Sequence, residues 1–462
     1  MPALHYDQVL IGNNLAVMVA ALACADAGQR VLLATDGLIL GGHFAGIIAG
    51  GKLFDLGMVA LDLKVSGKQL NDVRYYDPAI RNHNAHFASS IKAFLGSLID
   101  IRRVNCPQVW LEGRRYPDYL LSNKLDAFRG DVLVQEITND PHGQSTHLHA
   151  SNKVSDPNYR DLSYASASVY NHGKYIHNRY IEPVCQKILG CSSESISASF
   201  HRLGWLPLYY PETLNEVIRG EACSLPEYPF WTTDQGCVAE LVRFIARALE
   251  SHSLVDIDRS RMLAVDSTQQ TPRLRLESGL PIDCQRLAAG LADRRLAELT
   301  GVPVIRHLQR IDVRVVFLLI HRDSMPAFFP CLFIADEKVA AYRVTDQDSM
   351  AGLDPQWHRV SVEFNQDQFV KYYPDPVKAD EAVLHELLYL SVVSELRSAH
   401  IVRTLVAPKA LPLPSLDNLP YLDQPVFDLE RLGRVELTGS LLGAALASLN
   451  DQIIQGMKIA AR

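Results

Sequence analysis

Gly12, Asn14 and Val17 occupy the three positions of the spacing G-x-G-x-x-G, in which backbone N–H groups can approach a phosphate closely. Only the first position keeps its glycine. Asn tolerates positive φ better than most residues, but its side chain adds bulk where a phosphate must approach. Val17 adds bulk where the following helix packs on a sheet. The segment is therefore predicted either to bind a dinucleotide through a degraded turn or to keep the turn without that ligand.

The position that an acid usually occupies, to hydrogen-bond a ribose, holds Thr35, and Asp36 follows it. Thr35 can still donate or accept one hydrogen bond. Backbone amides at a helix N-terminus remain available to a phosphate. Asn13 and Asp36 are predicted to compensate for part of the contacts that the missing glycines and acid would have made.

Three predicted elements position these residues. Residues 8–11 form a short apolar run typical of a buried strand, and residues 30–34 form a second one. Between them, residues 15–27 are rich in Ala, Leu, Val and Met and end at Gly28, which predicts a helix. A strand, a tight turn, a helix and a parallel strand make a right-handed βαβ unit, which aims the helix N-terminus at its ligand.

Two groups of histidines could bind a metal ion. His142, His147 and His149 lie in one segment, and His83 and His86 lie in another. Neither group has a cysteine or an acid that completes a ligand set at tight spacing, so no metal is predicted.

Two pairs of neighbouring tyrosines could form the walls of a substrate pocket. They are Tyr209 with Tyr210 and Tyr372 with Tyr373, each in polar surroundings. Aromatic rings that carry a hydroxyl suit such a wall. Partly buried packing is the commoner role of tyrosine and is favoured here.

Composition and charge exclude some classes of protein. The 462 residues predict two or three domains. The net charge of −7 argues against nucleic-acid binding, because a phosphate backbone requires a basic surface. The eight cysteines form no C-x-x-C pair, which favours free thiols in a cytoplasmic protein. Residues 9–25 are apolar, but Asn13 and Asn14 interrupt them, so neither a membrane span nor a signal peptide is predicted.

Motifs along nearly the whole chain resemble those of the FAD-dependent amine oxidase superfamily. A Gly-Gly-His sequence at 41–43 follows the second predicted strand, and the sequence FDLG stands at 54–57. Residues 434–460 resemble the closing strand, turn and helix of the superfamily, with serine in place of an acid at position 440. Residues 174–197 and 229–250 are similar to segments of the protoporphyrinogen-oxidase-like and UDP-galactopyranose-mutase-like branches.

The resemblance implies an α/β fold with a discontinuous Rossmann-like FAD-binding domain and an inserted α+β substrate domain. Residues 1–60, 225–305 and 425–462 would form the FAD-binding domain, and residues 61–224 and 306–424 the substrate domain. The implied contacts to FAD fall on Gly12, Asn13, Asn14, Thr35, Asp36, Gly41, Gly42, Met262, Gly439 and Ser440.

The resemblance also implies residues near the reacting centre. His43 would lie beside the flavin ring, as a hydrogen-bonding group or a general base, or would be only a polar turn residue. Arg202 and Arg343, the latter preceded by Tyr342, are similar to positions that face an anionic substrate in the mutase-like branch. Either arginine could instead form an ordinary ion pair. Residues 409–412 lack the tyrosine of that branch, which argues against a sugar-nucleotide mutase.

The substrate domain is predicted from a second set of patterns. Residues 310–320 form an apolar run typical of a buried strand, and residues 339–344 and 359–364 alternate as strands. Residues 380–400 have the pattern of an amphipathic helix, and the proline-rich residues 408–420 that of a connector.

Three functions are compatible with these features. The first is an FAD-dependent oxidoreductase that transfers a hydride from a small-molecule substrate to the flavin. The second is a flavin-dependent sugar-nucleotide mutase-like isomerase, whose substrate would be anionic. The third is a cofactor-free relative that uses the fold for binding or scaffolding, which the changes at Asn14, Val17, Thr35 and Ser440 favour.

Overall fold

The computed structural model describes residues 4–62, 94–117, 161–207, 230–279, 281–305 and 308–462. Its strands are β1 (Leu4–Gly12), β2 (Val31–Ala34), β3 (Ile47–Ala49), β4 (Lys52–Phe54), β5 (Leu61–Asp62), β6 (Ile101–Arg103), β7 (Gln108–Leu111), β8 (Arg114–Pro117), β9 (Phe230–Thr233), β10 (Val255–Asp258), β11 (Met262–Asp266), β12 (Arg273–Leu276), β13 (Pro281–Gly290), β14 (Arg310–His321), β15 (Cys331–Ile334), β16 (Arg343–Asp346), β17 (Trp357–Asn365), β18 (Ala399–Pro412) and β19 (Val435–Leu437).

The α-helices are α1 (Leu15–Asp26), α2 (Tyr164–Ile176), α3 (Glu182–Leu189), α4 (Val238–Ser251), α5 (Asp293–Thr300), α6 (Gln347–Met350), α7 (Gln366–Tyr372), α8 (Ala379–Tyr389), α9 (Leu419–Leu422), α10 (Leu429–Leu432) and α11 (Leu449–Ala460). A π-helical turn, His177–Ile181, joins α2 to α3. The elements belong to a mixed α/β fold with two seven-stranded sheets and two smaller ones.

The first large sheet has the strand order β10-β2-β1-β13-β12-β11, and β19 also pairs with β13. β10, β2, β1, β13 and β19 run parallel, whereas β11 and β12 extend the sheet as an antiparallel hairpin. The chain leaves β1 toward β2 on one side, and β13 lies on the other side. The strand order therefore reverses at the β1–β13 pair, as in Rossmann-like folds.

The predicted βαβ unit is confirmed, with nearly the predicted bounds. Almost every side chain of α1 is buried, because the helix packs on the sheet and also against α4 and α11. That double packing explains why its sequence is apolar on all faces. The chain then turns at Gly28, which has φ of 83°, and enters β2.

The second large sheet has the order β18-β14-β17-β16-β15-β7-β8. The long strand β14 lies next to one edge of the sheet, where it pairs with β17 on one side and with the edge strand β18 on the other. α8 packs on one face of this sheet through buried apolar side chains such as Val383 and Leu387. The sheet draws its strands from both chain segments that were assigned to the substrate domain; those domain boundaries stay a prediction.

Three predictions for this region are wrong in their bounds. The helix predicted over 380–400 ends at Tyr389, because the chain turns at Ser391 (φ 51°) and then forms β18. The predicted connector at 408–420 begins with the last residues of β18, an edge strand, where proline is tolerated. The strand predicted from 339 begins at Arg343, because the N–H groups of Ala340 and Ala341 bind the Glu386 carboxylate instead of a neighbouring strand.

No helix in the described part of the chain combines the length and the apolar character that a membrane span requires.

Candidate cofactor-binding site

The carboxyl ends of β1, β13 and β19 meet at one edge of the first sheet. β1 ends at Gly12 and β13 at Gly290, and these two glycines are opposite each other in register. Gly12 has φ of 118°, and a Cβ there would lie 2.4 Å from the carbonyl oxygen of Gly290. The first position of the fingerprint therefore requires glycine. Ligands of open α/β sheets bind at such an edge, where the strand order reverses.

Asn14 fills the space between these strand ends. It is the N-cap of α1: its Oδ1 accepts a hydrogen bond from the N–H of Val17 (3.0 Å), and its Nδ2 donates to Oγ1 of Thr438 (3.1 Å). A Cβ on Gly290 would lie 2.4 Å from Asn14 Oδ1, and one on Gly439 would lie 2.6 Å from Nδ2. The bulk predicted for Asn14 is therefore accommodated because both facing residues are glycines.

Two glutamines of α11 complete the same cluster. Gln452 is buried, and its Oε1 accepts a hydrogen bond from the N–H of Leu15 at 3.0 Å. Gln455 Oε1 accepts one from the N–H of Gly439 at 2.6 Å. The sequence reasoning missed both glutamines, although two amides three residues apart on the closing helix were a usable signal. We call Asn14, Gln452 and Gln455 the amide cluster.

A second polar cluster lies at the end of β2. Thr35 is fully buried, and its hydroxyl has no hydrogen-bond partner within the described residues. Asp36 has φ of 56°, and its carboxylate accepts hydrogen bonds from the N–H of Met262 (2.7 Å) and from Nε of Arg295 (2.7 Å). Arg295 Nη2 also donates to the Met262 carbonyl (2.7 Å). Asp36 therefore presents the carboxylate that position 35 lacks, and Arg295 already binds it.

Electrostatics keep the Asp36 carboxylate ionised. Burial by itself would raise the pKa of Asp36, but the hydrogen bonds from Arg295 and Met262 hold that pKa below its usual value. The ion pair with Arg295 is mostly buried, with 14% of the Asp36 side chain and 22% of the Arg295 side chain exposed.

His43 is exposed and lies near the N-terminal end of α1. The turn before it requires two glycines in the left-handed region, Gly41 (φ 95°) and Gly42 (φ 56°), and the N–H of Gly41 donates to the Asn13 carbonyl at 2.7 Å. The Asn13 side chain donates to the carbonyl of Ile39 at 2.7 Å, which fixes the loop. The imidazole is reached by solvent, yet the protein around it removes enough water to lower the pKa of His43 to about 4. His43 is therefore neutral at pH 7.

Arg343 does not present a free guanidinium. Its Nε and Nη2 donate to the two carboxylate oxygens of Glu363, each at 2.6 Å, and both residues are buried. Burial disfavours the charge, but the Glu363 carboxylate outweighs that effect and raises the pKa of Arg343. The ring of Trp205 lies 4.8 Å from the guanidinium carbon. Nη1 alone lacks a hydrogen-bond partner in the described part of the chain.

Glu363 links this ion pair to the FDLG turn. Its carboxylate also accepts a hydrogen bond from the N–H of Met58 (3.2 Å), and a Cβ on Gly57 would lie 2.4 Å from Glu363 Oε1. The hydroxyl of Tyr342 donates to the same oxygen at 3.4 Å. Burial and the nearby carboxylate raise the pKa of Tyr342, so it stays protonated. Tyr342 and Arg343 are thus brought together with the FDLG turn, as neighbours of Glu363.

Of the other residues predicted to have a function, some are described by the structure and some lie outside the described residues. Ser440 follows β19 in a single 3-10 turn, is half-buried and makes no hydrogen bond within the described residues. The Arg202 side chain lies outside the described residues, as do Tyr209, Tyr210 and both histidine groups. Tyr372 donates its hydroxyl to the Glu337 carbonyl and Tyr373 donates to Glu386, so both brace the second sheet.

One cluster in the described part of the chain has the composition of a metal site but not its electrostatics. Asp346, Asp348 and His358 bring their ligand atoms within 4.8 Å of one another. Asp346 caps α6 and binds His358 Nδ1 at 2.9 Å, while Arg359 binds Asp348 at 2.6 Å. A buried guanidinium on one carboxylate repels a cation, so we read the cluster as structural.

Several solved protein structures are similar to this chain over nearly its whole length. A reduced UDP-galactopyranose mutase matches with a TM-score of 0.70 at 14% identity, over 98% of this chain and 94% of the mutase. A putrescine oxidase bound to putrescine matches with a TM-score of 0.61 at 12% identity, over 100% and 99%. Cyclohexylamine oxidase from Brevibacterium oxydans matches with a TM-score of 0.56 at 15% identity, over 100% and 98%. The chain has the fold that these three structures share. No protein-family model and no curated protein sequence matches it.

The residues at the strand ends can be compared with the needs of FAD, the cofactor that the sequence resemblance implies. The N–H groups of Leu15, Val17 and Gly439 all face oxygen acceptors, which the amide cluster supplies and which phosphate oxygens could replace. The free hydroxyl of Ser440 lies at the same strand end. The donor set therefore fits a pyrophosphate, provided that the three amide side chains move.

Asp55 of the FDLG turn holds the first residues of α4. Its carboxylate accepts hydrogen bonds from the N–H groups of Val238 (2.7 Å) and Ala239 (2.8 Å) and so caps α4. Burial raises the pKa of Asp55 to about 6 in spite of these bonds. The FDLG turn is thus held by Asp55 at one end of the motif and by Glu363 at the other.

Proposed function

We propose that this chain is a flavin-dependent oxidoreductase of the amine-oxidase type. The observation that supports it is a fold shared with solved flavoenzymes over 98–100% of this chain, with His43 at the Gly-Gly turn. FAD, when bound, would supply the hydride acceptor. The chain's own residues would bind the cofactor, orient the substrate and control protons.

Several of the predicted contacts to FAD, together with the N–H groups of Leu15 and Val17, take distinct parts in this proposal. Leu15 and Val17 at the start of α1, with Gly439 and Ser440 after β19, would hold the pyrophosphate through N–H and O–H groups. Asp36 would bind the ribose hydroxyls, with Met262 near the adenine. Arg295 binds both of these residues in the structure, so it would have to share them.

We propose that the His43 imidazole hydrogen-bonds the substrate. It is neutral at pH 7 because its pKa is about 4, so its ring can accept a hydrogen bond from a substrate N–H without a competing positive charge. Gly41 and Gly42 hold it in place through a turn that other residues would strain.

Charge favours a neutral or cationic substrate over a diphosphate. The Arg343 guanidinium is neutralised by Glu363 in a buried bidentate pair, and Tyr342 is also bound to that carboxylate. An arginine committed in this way offers a substrate only its Nη1 donor. The predicted anion clamp at Arg343 is thus reduced to one hydrogen bond.

A mutase-like isomerase is the second candidate, since the UDP-galactopyranose mutase match has the highest TM-score of the three. The buried Nη1 of Arg343, which has no partner within the described residues, is the group that an anionic substrate would use. On either reaction we propose a cytoplasmic protein that acts on a small molecule and binds no nucleic acid.

The test combines cofactor binding with substrate reduction. The purified chain is incubated with FAD and freed of excess, and the retained flavin band is followed anaerobically after addition of putrescine, cyclohexylamine or a UDP-hexose. Bleaching by an amine supports the oxidoreductase. Conversion of the UDP-hexose without net bleaching supports the mutase, and absence of retained or titratable FAD refutes both.

Variants assign the role of His43 in that assay. His43→Phe is expected to slow bleaching while FAD remains bound. His385→Phe is the matched control, because His385 is exposed on α8 and pairs with the exposed Glu381. Equal bleaching by the two variants would remove His43 from the proposal.

A further inference from the structure

The N-terminus of α1 is capped by the chain itself. Leu15, Val17 and Gly439 each donate a backbone N–H to a side-chain amide oxygen, at 3.0, 3.0 and 2.6 Å. The acceptors are three side chains: Asn14 at the turn, and Gln452 and Gln455 of α11. A helix N-terminus binds anions through the same N–H groups, so the amide oxygens occupy acceptor positions that a pyrophosphate would use.

Additional bonds hold the amide cluster in place. Asn14 Nδ2 donates to Thr438 at 3.1 Å. Gln452 Nε2 donates to the Ala447 carbonyl at 2.9 Å, and Gln455 Nε2 donates to the Leu446 carbonyl at 2.8 Å. Each amide thus uses both of its ends, and displacing it breaks at least two hydrogen bonds.

The groups that would contact the adenosine part of FAD are likewise hydrogen-bonded within the chain. The Asp36 carboxylate and both backbone groups of Met262 are bound in one network with Arg295. These groups are also hydrogen-bonded before any ligand arrives. In two separate parts of the cofactor site, the hydrogen-bonding groups are therefore already bound to other groups of the chain.

We infer that the chain closes its own dinucleotide site, and that Asn14 is the residue that sets how strongly FAD is held. This inference rests on the proposed function, in which FAD binds at this edge of the sheet. The cofactor-free chain is stable because the amide cluster satisfies the donors. FAD has to displace that cluster, so its affinity is lower than the same fold would give with the amides removed.

Asn14 is decisive because of its position and short side chain. Each glutamine side chain has one more rotatable bond than Asn14, whereas the shorter Asn14 side chain lies between Gly290 and Gly439. Its backbone, with φ of −71° and ψ of 164°, suits glycine equally well. Replacing an N-cap Asn by Gly changes helix stability only slightly.

The experiment is a titration of the purified full-length chain with FAD, followed by quenching of flavin fluorescence and by thermal stability without substrate. Asn14→Gly removes two hydrogen bonds that FAD would otherwise have to break, so we expect the dissociation constant to fall about 30-fold. Gln455→Ala exposes one donor without touching the turn, and we expect a fall of about fivefold.

The matched control is Asn365→Gly, which removes an N-cap asparagine of α7 that also donates to a distant carbonyl, that of Ile188. It should leave FAD affinity unchanged, so a general effect of losing an N-cap is separated from opening of the site. Circular dichroism of the cofactor-free variants establishes that each is folded.

The outcomes separate this inference from the proposed function. Tighter binding by Asn14→Gly or Gln455→Ala, including binding that the wild type lacks, supports the inference. Wild-type binding that neither variant tightens overturns the inference and leaves the proposed function intact. If neither the wild type nor any variant binds FAD, both are overturned.

Discussion

Replacing Glu363 by glutamine is expected to be among the most destabilising single changes in this chain. The Glu363 carboxylate binds Arg343 through two hydrogen bonds of 2.6 Å, and the two side chains are 5% and 6% exposed. Glu363→Gln leaves the guanidinium buried without a counter-charge. Breaking such a pair costs about 3–5 kcal/mol of unfolding free energy. The bond from the Met58 N–H would be weakened as well.

The assay is urea-induced unfolding followed by tryptophan fluorescence, with an exposed pair as the matched control. Arg273 and Asp283 form the same bidentate contact, at 2.6 and 3.1 Å, but 47% of the Arg273 side chain is exposed. Asp283→Asn should therefore cost less than about 1 kcal/mol. The double change Arg343→Met with Glu363→Gln should recover most of the loss, because no buried charge remains. A loss below about 1 kcal/mol for Glu363→Gln alone would refute the reasoning.

Three further results are expected. Because the pKa of His43 is lowered from 6.5 to about 4, its neutral form persists as pH falls, so kcat/KM should show no His43-dependent limb above about pH 5; a wild-type limb near pH 6.5 that His43→Gln lacks would contradict this. Asp55→Ala removes the acceptor for the N–H groups of Val238 and Ala239 and should lower the unfolding free energy by about 2 kcal/mol in urea titrations; an unchanged midpoint would show that α4 needs no cap. Thr35→Val replaces a buried hydroxyl that has no partner within the described residues, so thermal unfolding should be unchanged or shifted upward, and a clear downward shift would reveal an overlooked hydrogen bond.

The self-capped site gives a physical reason why the fingerprint could change without loss of the fold. In this chain the donors at the start of α1 stay hydrogen-bonded when no phosphate is present, because Asn14 and Gln452 supply acceptors. An uncapped helix N-terminus would leave these donors unsatisfied. The substitution at Asn14 is thus compatible with a stable empty protein, and the cofactor competes with it.

Local patterns predicted the first βαβ unit well and the second sheet less well. Residues 8–11, 15–27 and 30–34 match β1, α1 and β2 closely, because apolar runs and Gly28 act within a few residues. The helix predicted over 380–400 is wrong in its second half. There β18 forms because β14 offers a long partner strand, and that pairing joins residues about 90 positions apart, such as Val315 and Leu405.

The sequence by itself determined the order of the superfamily motifs and the elements that position them, since these depend on residue types at short spacing. Only the tertiary structure decided which groups are already bound. Arg343 is paired because Glu363 lies opposite it on β17, and Leu15 is capped by Gln452, which is 437 positions away. A residue's type predicts that it can donate a hydrogen bond or carry a charge. Which partner it meets depends on strand register and helix packing, which local sequence patterns do not encode.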